Sequence, residues 1–149
     1  MRKQEYFKVA FRIMGDELEP SKISILLGIS PHQSHKKGDP NTSKTKKGKI
    51  VFYSPFSSGL WLINSNLPES SCLEDHINSI LTILEPVKDK LKQLSYDGYK
   101  MDIYCGYFTG EQAGFNLNNL VLKRMANLNI DFGINIYCLK TSHERDEKI

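Results

Sequence analysis

Residues 130–138 read IDFGINIYC, a stretch in which apolar and polar side chains alternate one by one. Successive side chains of a β-strand point to opposite faces, so this alternation predicts a strand with one face in the core and one in water. Residues 6–14 (YFKVAFRIM) and 100–108 (KMDIYCGYF) alternate in the same way. Three half-buried strands indicate a mostly antiparallel sheet with helices on one face and solvent on the other.

Segments with apolar residues at helical spacing predict the helices that pack on one face of that sheet. Pro20 and Gly28 bracket a short amphipathic helix, with proline in its first turn and glycine at a left-handed cap. A longer helix starts near residue 73 and is interrupted at Pro86, because proline removes a backbone donor. Asn118 is placed to cap a third helix.

Two short β-rich runs, residues 49–53 and 59–64, predict a hairpin joined by the turn between them. The element order is then strand, helix, strand, strand, helix, strand, helix, strand. We expect an α+β fold with a mostly antiparallel sheet, helices packed on one face and a ferredoxin-like start. A single globular domain spans 1–139, with a basic loop at 32–49, and the charged tail 140–149 is expected to fray.

Composition places the chain among ordinary globular proteins. Its 149 residues are 40% hydrophobic and 25% charged, and no apolar run approaches the roughly eighteen residues that a membrane span needs. Charges at Arg2, Lys3, Glu5 and Lys8 interrupt the stretch where a signal peptide has its apolar centre. The sequence therefore predicts a cytoplasmic protein with no membrane partner.

The net charge of +3 is unevenly distributed along the chain. Residues 32–49 contain six lysines and a single acidic residue, Asp39, so this segment carries +5 and the rest of the chain is negative. Lysines that neutralise phosphates make nucleic-acid binding steeply salt-dependent. The candidate nucleic-acid contacts are Lys36, Lys37, Lys44, Lys46, Lys47 and Lys49.

The solvent-exposed face of the predicted sheet carries several tyrosines. Tyrosine is enriched in protein interfaces, because it supplies apolar area and a polar tip at low entropic cost. We expect a protein partner to bind this face. The candidate contact residues are Tyr6, Lys8, Arg12, Tyr104, Asn135 and Tyr137. The same rings are suited to base stacking, but Asp102 and Asp131 on this face repel phosphate.

Motifs that carry catalysis are absent from the sequence. It has no serine elbow with its glycines, no paired-histidine zinc motif, no phosphate-binding glycine loop and no dinucleotide fingerprint. Cys72 and His76 are four residues apart, but the ligands that would complete a metal site are missing, and we expect no cofactor. For an enzyme, the expected pocket candidates are Asp16, Trp61 and His76.

Several short motifs follow one another in a characteristic order: residues 6–16 followed by Pro20, LLGISP at 26–31, KGD at 37–39, Trp61, LEDH at 73–76 with LEP at 84–86, and residues 128–137. In this order they resemble a bacterial family catalogued as domain of unknown function 4279, over nearly the whole chain. The resemblance implies a single-domain bacterial cytosolic protein without an established activity. Some small bacterial families of this kind resemble immunity partners of secreted toxins.

Three functional hypotheses follow in order of preference. The first is a non-enzymatic binding protein whose partner is another protein, with toxin immunity as one form of that role. The second is nucleic-acid binding through the lysine-rich segment. The third is a small enzyme with a pocket near His76. The sequence sets neither the partner's identity nor the oligomeric state.

Overall fold

The computed structural model describes residues 5–139, so the tail 140–149, which was expected to fray, lies outside the described residues. The strands are β1 (Glu5–Gly15), β2 (Gln33–His35), β3 (Asn41–Lys44), β4 (Ile50–Tyr53), β5 (Gly59–Asn64), β6 (Lys100–Thr109) and β7 (Asp131–Cys138). The helices are α1 (Pro20–Leu27), α2 (Leu73–Leu84), α3 (Lys88–Tyr96) and α4 (Asn119–Asn127). A 3₁₀ turn, Glu85–Val87, joins α2 to α3. In this part of the chain, no helix combines the length and the apolar character needed to cross a bilayer.

Five of the strands form one sheet in the order β2-β5-β1-β6-β7. All neighbours are antiparallel except β6 and β7, which run parallel because α4 carries the chain back between them. β1 lies at the centre and pairs with β6 over ten residues, whereas β5 pairs only with the half of β1 from Ala10 to Gly15. The predicted α+β class with a mostly antiparallel sheet is confirmed.

The hydrophobic core lies between the helices and one face of the sheet. Alternate residues of the strands point into it, as the period-two pattern predicts, and meet the apolar sides of α2 and α3. Each fully buried aliphatic or aromatic side chain contributes about 1.5–3 kcal/mol to folding. Side chains with almost no exposed surface include Phe11, Ile13, Trp61, Ile77, Ile80, Leu84, Leu91 and Ile103.

The residues predicted to begin, cap or interrupt the helices are confirmed in these roles. Pro20 is the first residue of α1, and Gly28 caps it with a left-handed φ of 68°. Pro86 falls in the 3₁₀ turn that separates α2 from α3. The side-chain oxygen of Asn118 accepts a hydrogen bond from the backbone N–H of Val121 at 2.9 Å, which caps α4.

The hairpin predicted between residues 49–53 and 59–64 is wrong. β4 pairs instead with β3, and β5 enters the main sheet between β2 and β1. Residues 32–49, predicted as a loop, therefore contain β2 and β3. β3 reads NTSK and is exposed along most of its length, so it lacks the apolar alternation from which a strand is predicted.

Candidate functional site

The sheet face opposite the helices carries the side chains that alternate with the core residues. Residues paired across neighbouring strands point to the same side of a sheet. Tyr6 pairs with Phe108, which pairs with Tyr137, and Arg12 pairs with Asp102. All six residues predicted to contact a protein partner lie on this face. We name it the aromatic face, made of Tyr6, Lys8, Arg12, Asp102, Tyr104, Phe108, Asn135 and Tyr137.

Three rings of the aromatic face form a continuous stack across β1, β6 and β7. The ring centroids of Tyr6 and Phe108 are 4.6 Å apart and those of Phe108 and Tyr137 are also 4.6 Å apart, with interplanar angles of 5° and 12°. Phe108 is therefore covered on both of its ring faces. The stack orders the three rings, of which Tyr6 and Phe108 are half-buried and Tyr137 is exposed.

Arg12 and Asp102 form a two-pronged ion pair beside the stack. Arg12 Nε donates to Asp102 Oδ1 at 2.9 Å, and Arg12 Nη2 donates to Asp102 Oδ2 at 2.6 Å. This hydrogen bonding raises the pKa of the Arg12 guanidinium. The guanidinium also lies over the Tyr104 ring, 4.5 Å from its centroid. The arginine is thus fully engaged within the protein.

The tyrosine hydroxyls are joined in a polar network. Asn135 Nδ2 donates to the Tyr104 hydroxyl at 2.8 Å, and the hydroxyl oxygens of Tyr104 and Tyr137 are 3.2 Å apart, a hydrogen bond in which either can be the donor. Their contact raises the pKa of Tyr104 and lowers the pKa of Tyr137, which corresponds to a bond donated by Tyr104, and the Asn135 amide also lowers the pKa of Tyr137. The three side chains fix one another's positions.

Gly106 makes room for this arrangement in the middle of β6. A Cβ at that position would lie 3.1 Å from Phe108 Cε2 and 3.6 Å from Tyr137 Cε2, so a side chain there would press on the stack. Lys8, directly opposite Gly106 on β1, places its ammonium 5.5 Å from the centre of the Phe108 ring. Lys8 is thus a cation beside the stack that has no carboxylate partner among the described ion pairs.

A second region projects from the β2 edge of the molecule. β3 and β4 pair with each other and with no strand of the main sheet, and they form a hairpin over residues 41–53, which we name the basic arm. The loop at its tip is closed by a hydrogen bond from Thr45 N to Lys49 O at 2.8 Å. Gly48 takes a φ of 82° in that loop, the left-handed conformation that ends a three-residue hairpin turn.

The six predicted nucleic-acid contacts divide into two groups. Lys44, Lys46, Lys47 and Lys49 lie on the basic arm. Lys36 and Lys37 lie before it, at its base, where Lys37 forms an ion pair with Asp16 at 3.4 Å. The base itself is clamped by the stacked rings of His35 and Phe56, whose centroids are 3.5 Å apart.

His76, the third region of interest, lies on α2 and is only 2% exposed. Its Nδ1 is 2.6 Å from the Ser65 hydroxyl, and its Nε2 has no hydrogen-bond partner within residues 5–139. Burial lowers the pKa of His76 because it disfavours the charged imidazolium, so the neutral form of the ring is favoured. A hydroxyl beside a neutral imidazole is the minimal pair for nucleophilic catalysis.

A cavity of about 300 Å³ adjoins this pair. It forms because β5 ends at Asn64: Ser65 N still bonds to Val9 O and Phe7 N bonds to Glu69 O, but the chain between them bows away from β1. The cavity is lined by Phe7, Lys8, Val9, Asn64, Ser65, Leu67, Glu69 and His76.

The other two predicted pocket residues lie elsewhere. Trp61 is fully buried in the core, where its indole N–H donates to the Ser24 hydroxyl at 3.1 Å. Asp16 is exposed in the turn after β1. Neither lines this cavity or a second one of about 270 Å³ beside Phe115. Within residues 5–139, no three His, Cys, Asp or Glu side chains gather closely enough to hold a metal ion.

Sequence reasoning missed three residues that these regions depend on. Phe108 falls in the even-numbered set of β6 together with Tyr104, so the alternation contained the signal for its place on the aromatic face. Phe52 of the basic arm and Ser65 beside His76 carry no such signal. Their positions follow from the β3–β4 pairing and from the end of β5, which sequence periodicity does not show.

Comparison with known proteins identifies the family of this chain. No curated protein and no solved structure matches the chain. A family model described as "Domain of unknown function (DUF4279)" matches residues 4–139, which include every element of the sheet and all three regions described above. This chain therefore belongs to the DUF4279 family.

Proposed function

We propose that the protein is a non-enzymatic binding protein and that a protein partner docks on the aromatic face. The observation that carries the proposal is the stack of Tyr6, Phe108 and Tyr137, an ordered row of rings on the side of the sheet away from the helices. Aromatic rings on a surface that water can reach are the side chains most enriched at the energetic centres of protein interfaces.

The aromatic face is one part of the surface that a protein partner would cover. Its three strands, β1, β6 and β7, lie about 4.8 Å apart and span about 10 Å, and the two longest, β1 and β6, run for about 33 Å. The resulting area of about 300 Å² is less than half of the roughly 800 Å² that each partner contributes to a standard interface, so the contact would extend beyond these strands. A small molecule would need a concave site, and Lys8 is the residue of the face that lines one of the two cavities described above.

Rigidity supports the same function. The rings are stacked on one another, and the hydroxyls of Tyr104 and Tyr137 are tied together and to Asn135. Side chains that are already ordered lose little entropy when a partner arrives, so more of the contact energy is available for affinity.

Charge on the face favours a protein over a nucleic acid. The Arg12 cation is neutralised by Asp102, and Asp131 follows at the paired position on β7. Lys8 is the cation left without a carboxylate partner among the described residues of the face. We expect the partner to present apolar or aromatic side chains to the ring edges and a carboxylate to Lys8. Neutralising a toxin, as a bacterial cytoplasmic immunity protein does, is one form of this function.

Capture of partners by immobilised variants tests the proposal. Tyr104→Ala and Tyr137→Ala remove one ring each from the aromatic face, while Tyr96→Ala removes a ring that is 92% exposed on α3, on the helical side. We expect the parent and Tyr96→Ala to retain the same proteins from a lysate of the source cells, and the two face variants to lose them. Retention of every protein by both face variants would overturn the proposal. A second copy of the chain as the retained partner would show in analytical ultracentrifugation of the parent.

The cavity beside His76 favours a second candidate, a small hydrolase. In this reading the Ser65 oxygen attacks an ester carbonyl, its proton passes to His76 Nδ1, and the leaving alcohol then takes that proton as the ester C–O bond breaks. Water next attacks the carbonyl of the acylated Ser65 and gives its proton to His76 Nδ1. The Ser65 oxygen takes that proton as its bond to the acyl group breaks, and the acid is released. The supporting observation is the 2.6 Å contact between the two groups at the wall of the cavity.

A fluorophosphonate probe tests this second candidate directly. The Ser65 oxygen would form a bond to phosphorus, fluoride would leave, and mass spectrometry would locate the label. Labelling should disappear in Ser65→Ala and persist in Ser79→Ala, whose hydroxyl is 3.4 Å from that of Ser65 but is bonded to a backbone carbonyl. Failure of the parent to label excludes the candidate.

A further inference from the structure

We propose that the basic arm binds single-stranded nucleic acid, with its lysines on the phosphates and the Phe52 ring stacked on a base. The arm projects from the β2 edge and shares no residue with the aromatic face, so this inference is independent of the function proposed above. Its support comes from three features of the arm: unpaired cations, uncovered rings and a fixed backbone.

The cations of the arm are free to meet phosphates. Among residues 5–139, the described ion pairs involve Arg12, Lys22, Lys37 and Arg124, and none involves a lysine of the arm. The four arm lysines Lys44, Lys46, Lys47 and Lys49 lie within six positions, and the arm itself contains no acidic residue. A strand of phosphates is the ligand whose charge complements such a concentration of lysines.

The rings of the arm are uncovered, unlike those of the aromatic face. Phe52 is 78% exposed and Tyr53 is 55% exposed, and neither stacks on another ring in the described part of the chain. The pairing of Thr42 with Phe52 and of Lys44 with Ile50 puts the Phe52 ring and the Lys44 ammonium on the same side of the hairpin. Bases stack on exposed rings when they are unpaired, which is why a single strand is the ligand rather than a duplex.

The backbone of the arm is held at both ends. The tip is closed between Thr45 and Lys49, and Lys49 N also donates to the Thr45 hydroxyl at 3.1 Å. At the base, Gly38 N donates to Phe56 O at 2.7 Å and Phe56 N donates to Asp39 O at 3.1 Å. A two-stranded hairpin is marginally stable alone, so these closures are what present the lysines and Phe52 in one arrangement.

Fluorescence anisotropy with labelled 20-nucleotide oligo(dT) and oligo(U), and with a duplex of the same length, tests the proposal. We expect both single strands to bind more tightly than the duplex. Four phosphate contacts on a single strand give a slope of about −2.8 in a plot of log K against log salt, so binding should weaken about 50-fold between 50 and 200 mM salt.

A matched pair of quadruple variants separates the arm from net charge. Replacing Lys44, Lys46, Lys47 and Lys49 by Gln should abolish most of the salt dependence. Replacing four exposed lysines of the helices, Lys22, Lys88, Lys90 and Lys92, by Gln removes the same charge and should leave the slope unchanged. Equal loss of affinity in both variants would overturn the assignment to the arm.

Phe52→Ala tests the stacking contact, with Tyr96→Ala as its control. The removal of one base-stacking ring should weaken single-strand binding at least about 5-fold and leave duplex binding unchanged. Circular dichroism of each variant shows whether it has kept the parent fold.

Three results would contradict the proposal: no binding of either oligonucleotide at 50 mM salt, unchanged affinity of Phe52→Ala, or equally tight binding of a 20-residue poly-glutamate peptide. The last would identify the ligand as an acidic protein segment. Anionic phospholipid vesicles that compete with the oligonucleotide as well as unlabelled oligonucleotide does would identify a membrane surface instead.

Discussion

The aromatic face and the basic arm both combine aromatic rings with cations. On the face these groups contact partners within the protein, whereas on the arm they are exposed. On the face, Phe108 is covered by a ring on each side and Arg12 is neutralised by Asp102. On the arm, Phe52 stacks on no described ring and no described carboxylate pairs with Lys44 or its neighbours. A surface whose polar groups are satisfied internally offers shape and apolar area, whereas exposed lysines without carboxylate partners attract a ligand that brings the opposite charge.

The two regions also differ in what supports them. The aromatic face is the outer side of the central strands β1 and β6, whose inner side is the core. The arm is a two-stranded hairpin that pairs with no strand of the main sheet, and the backbone hydrogen bonds between Gly38, Asp39 and Phe56 close its base. Side chains of the face therefore contribute to global stability, and side chains of the arm do so only locally.

The largest expected effect is on the free energy of unfolding, and it should distinguish a ring of the aromatic face from a ring of the basic arm. Phe108→Ala removes the middle of the stack from a half-buried position and should lower the free energy of unfolding by about 2 kcal/mol. Phe52→Ala removes a ring of the same chemistry from the arm and should change it by less than about 0.5 kcal/mol. Urea unfolding followed by the fluorescence of Trp61, the single tryptophan, measures both. Equal losses in the two variants would show that the arm is part of the stable fold.

The next effect concerns the cations. Arg12→Met leaves the Asp102 carboxylate, which is 16% exposed, without its partner and should cost about 1–2 kcal/mol of unfolding free energy. Lys47→Met, the same exchange on the arm, should cost less than about 0.5 kcal/mol. The same urea titration tests this pair. If Arg12→Met left the free energy of unfolding unchanged, the ion pair would not organise the face.

A smaller effect is expected on the stability of the protein at acidic pH, where the buried imidazole of His76 takes up a proton. The basic arm plays no part in this effect. The pKa of His76 is lowered from 6.5 in the folded protein, so the unfolded chain binds the proton more tightly and stability falls as the pH drops below 6.5. Above that pH this contribution is fully present. The melting temperature of the parent should decline from pH 7 to pH 5, and His76→Gln should lack this decline. The contribution of Glu85, whose pKa is lowered by Arg124, is lost only below 4.5 and is thus separate.

The smallest effect is spectroscopic. The pKa of Tyr137 is lowered and that of Tyr104 is raised from 10.0 through their shared hydrogen bond, so the two should ionise in separate steps in an ultraviolet titration. Tyr137→Phe removes the hydroxyl that hydrogen-bonds with Tyr104 and should bring the pKa of Tyr104 back toward 10.0. An identical titration curve for Tyr104 in the variant would contradict the network.

Sequence reasoning predicted the aromatic face because its two central strands, β1 and β6, are buried on one side, whereas β7 at the sheet edge is at most half-buried and exposes Ile136. Burial of Phe7, Phe11 and Ile103 imposes a strict alternation, and the side chains between them must then share the other face. What alternation does not contain is the strand order. The stacking of Phe108 between Tyr6 and Tyr137 depends on β1, β6 and β7 being neighbours, and no local pattern shows that.

The sequence predicted the basic character of residues 32–49 but not the hairpin that forms the basic arm. Its strands have no buried side, so neither NTSK at 41–44 nor the turn at 45–49 shows a period, and the segment reads as a loop. β4 was assigned the wrong partner because β5 lies equally close in sequence. The choice is made by the core, which takes Trp61 and Ile63 of β5 and leaves Phe52 of β4 in solvent.

The division of roles between the two regions is tested most directly by photo-crosslinking in the source cells, with p-benzoylphenylalanine placed in turn at Tyr137, Phe52 and Tyr96. We expect a discrete protein adduct from position 137, nuclease-sensitive adducts from position 52, and neither from the exposed control position 96 on α3. Protein adducts that are the same from positions 96 and 137, or an absence of any adduct at position 137, would contradict the assignment of the aromatic face as the docking surface.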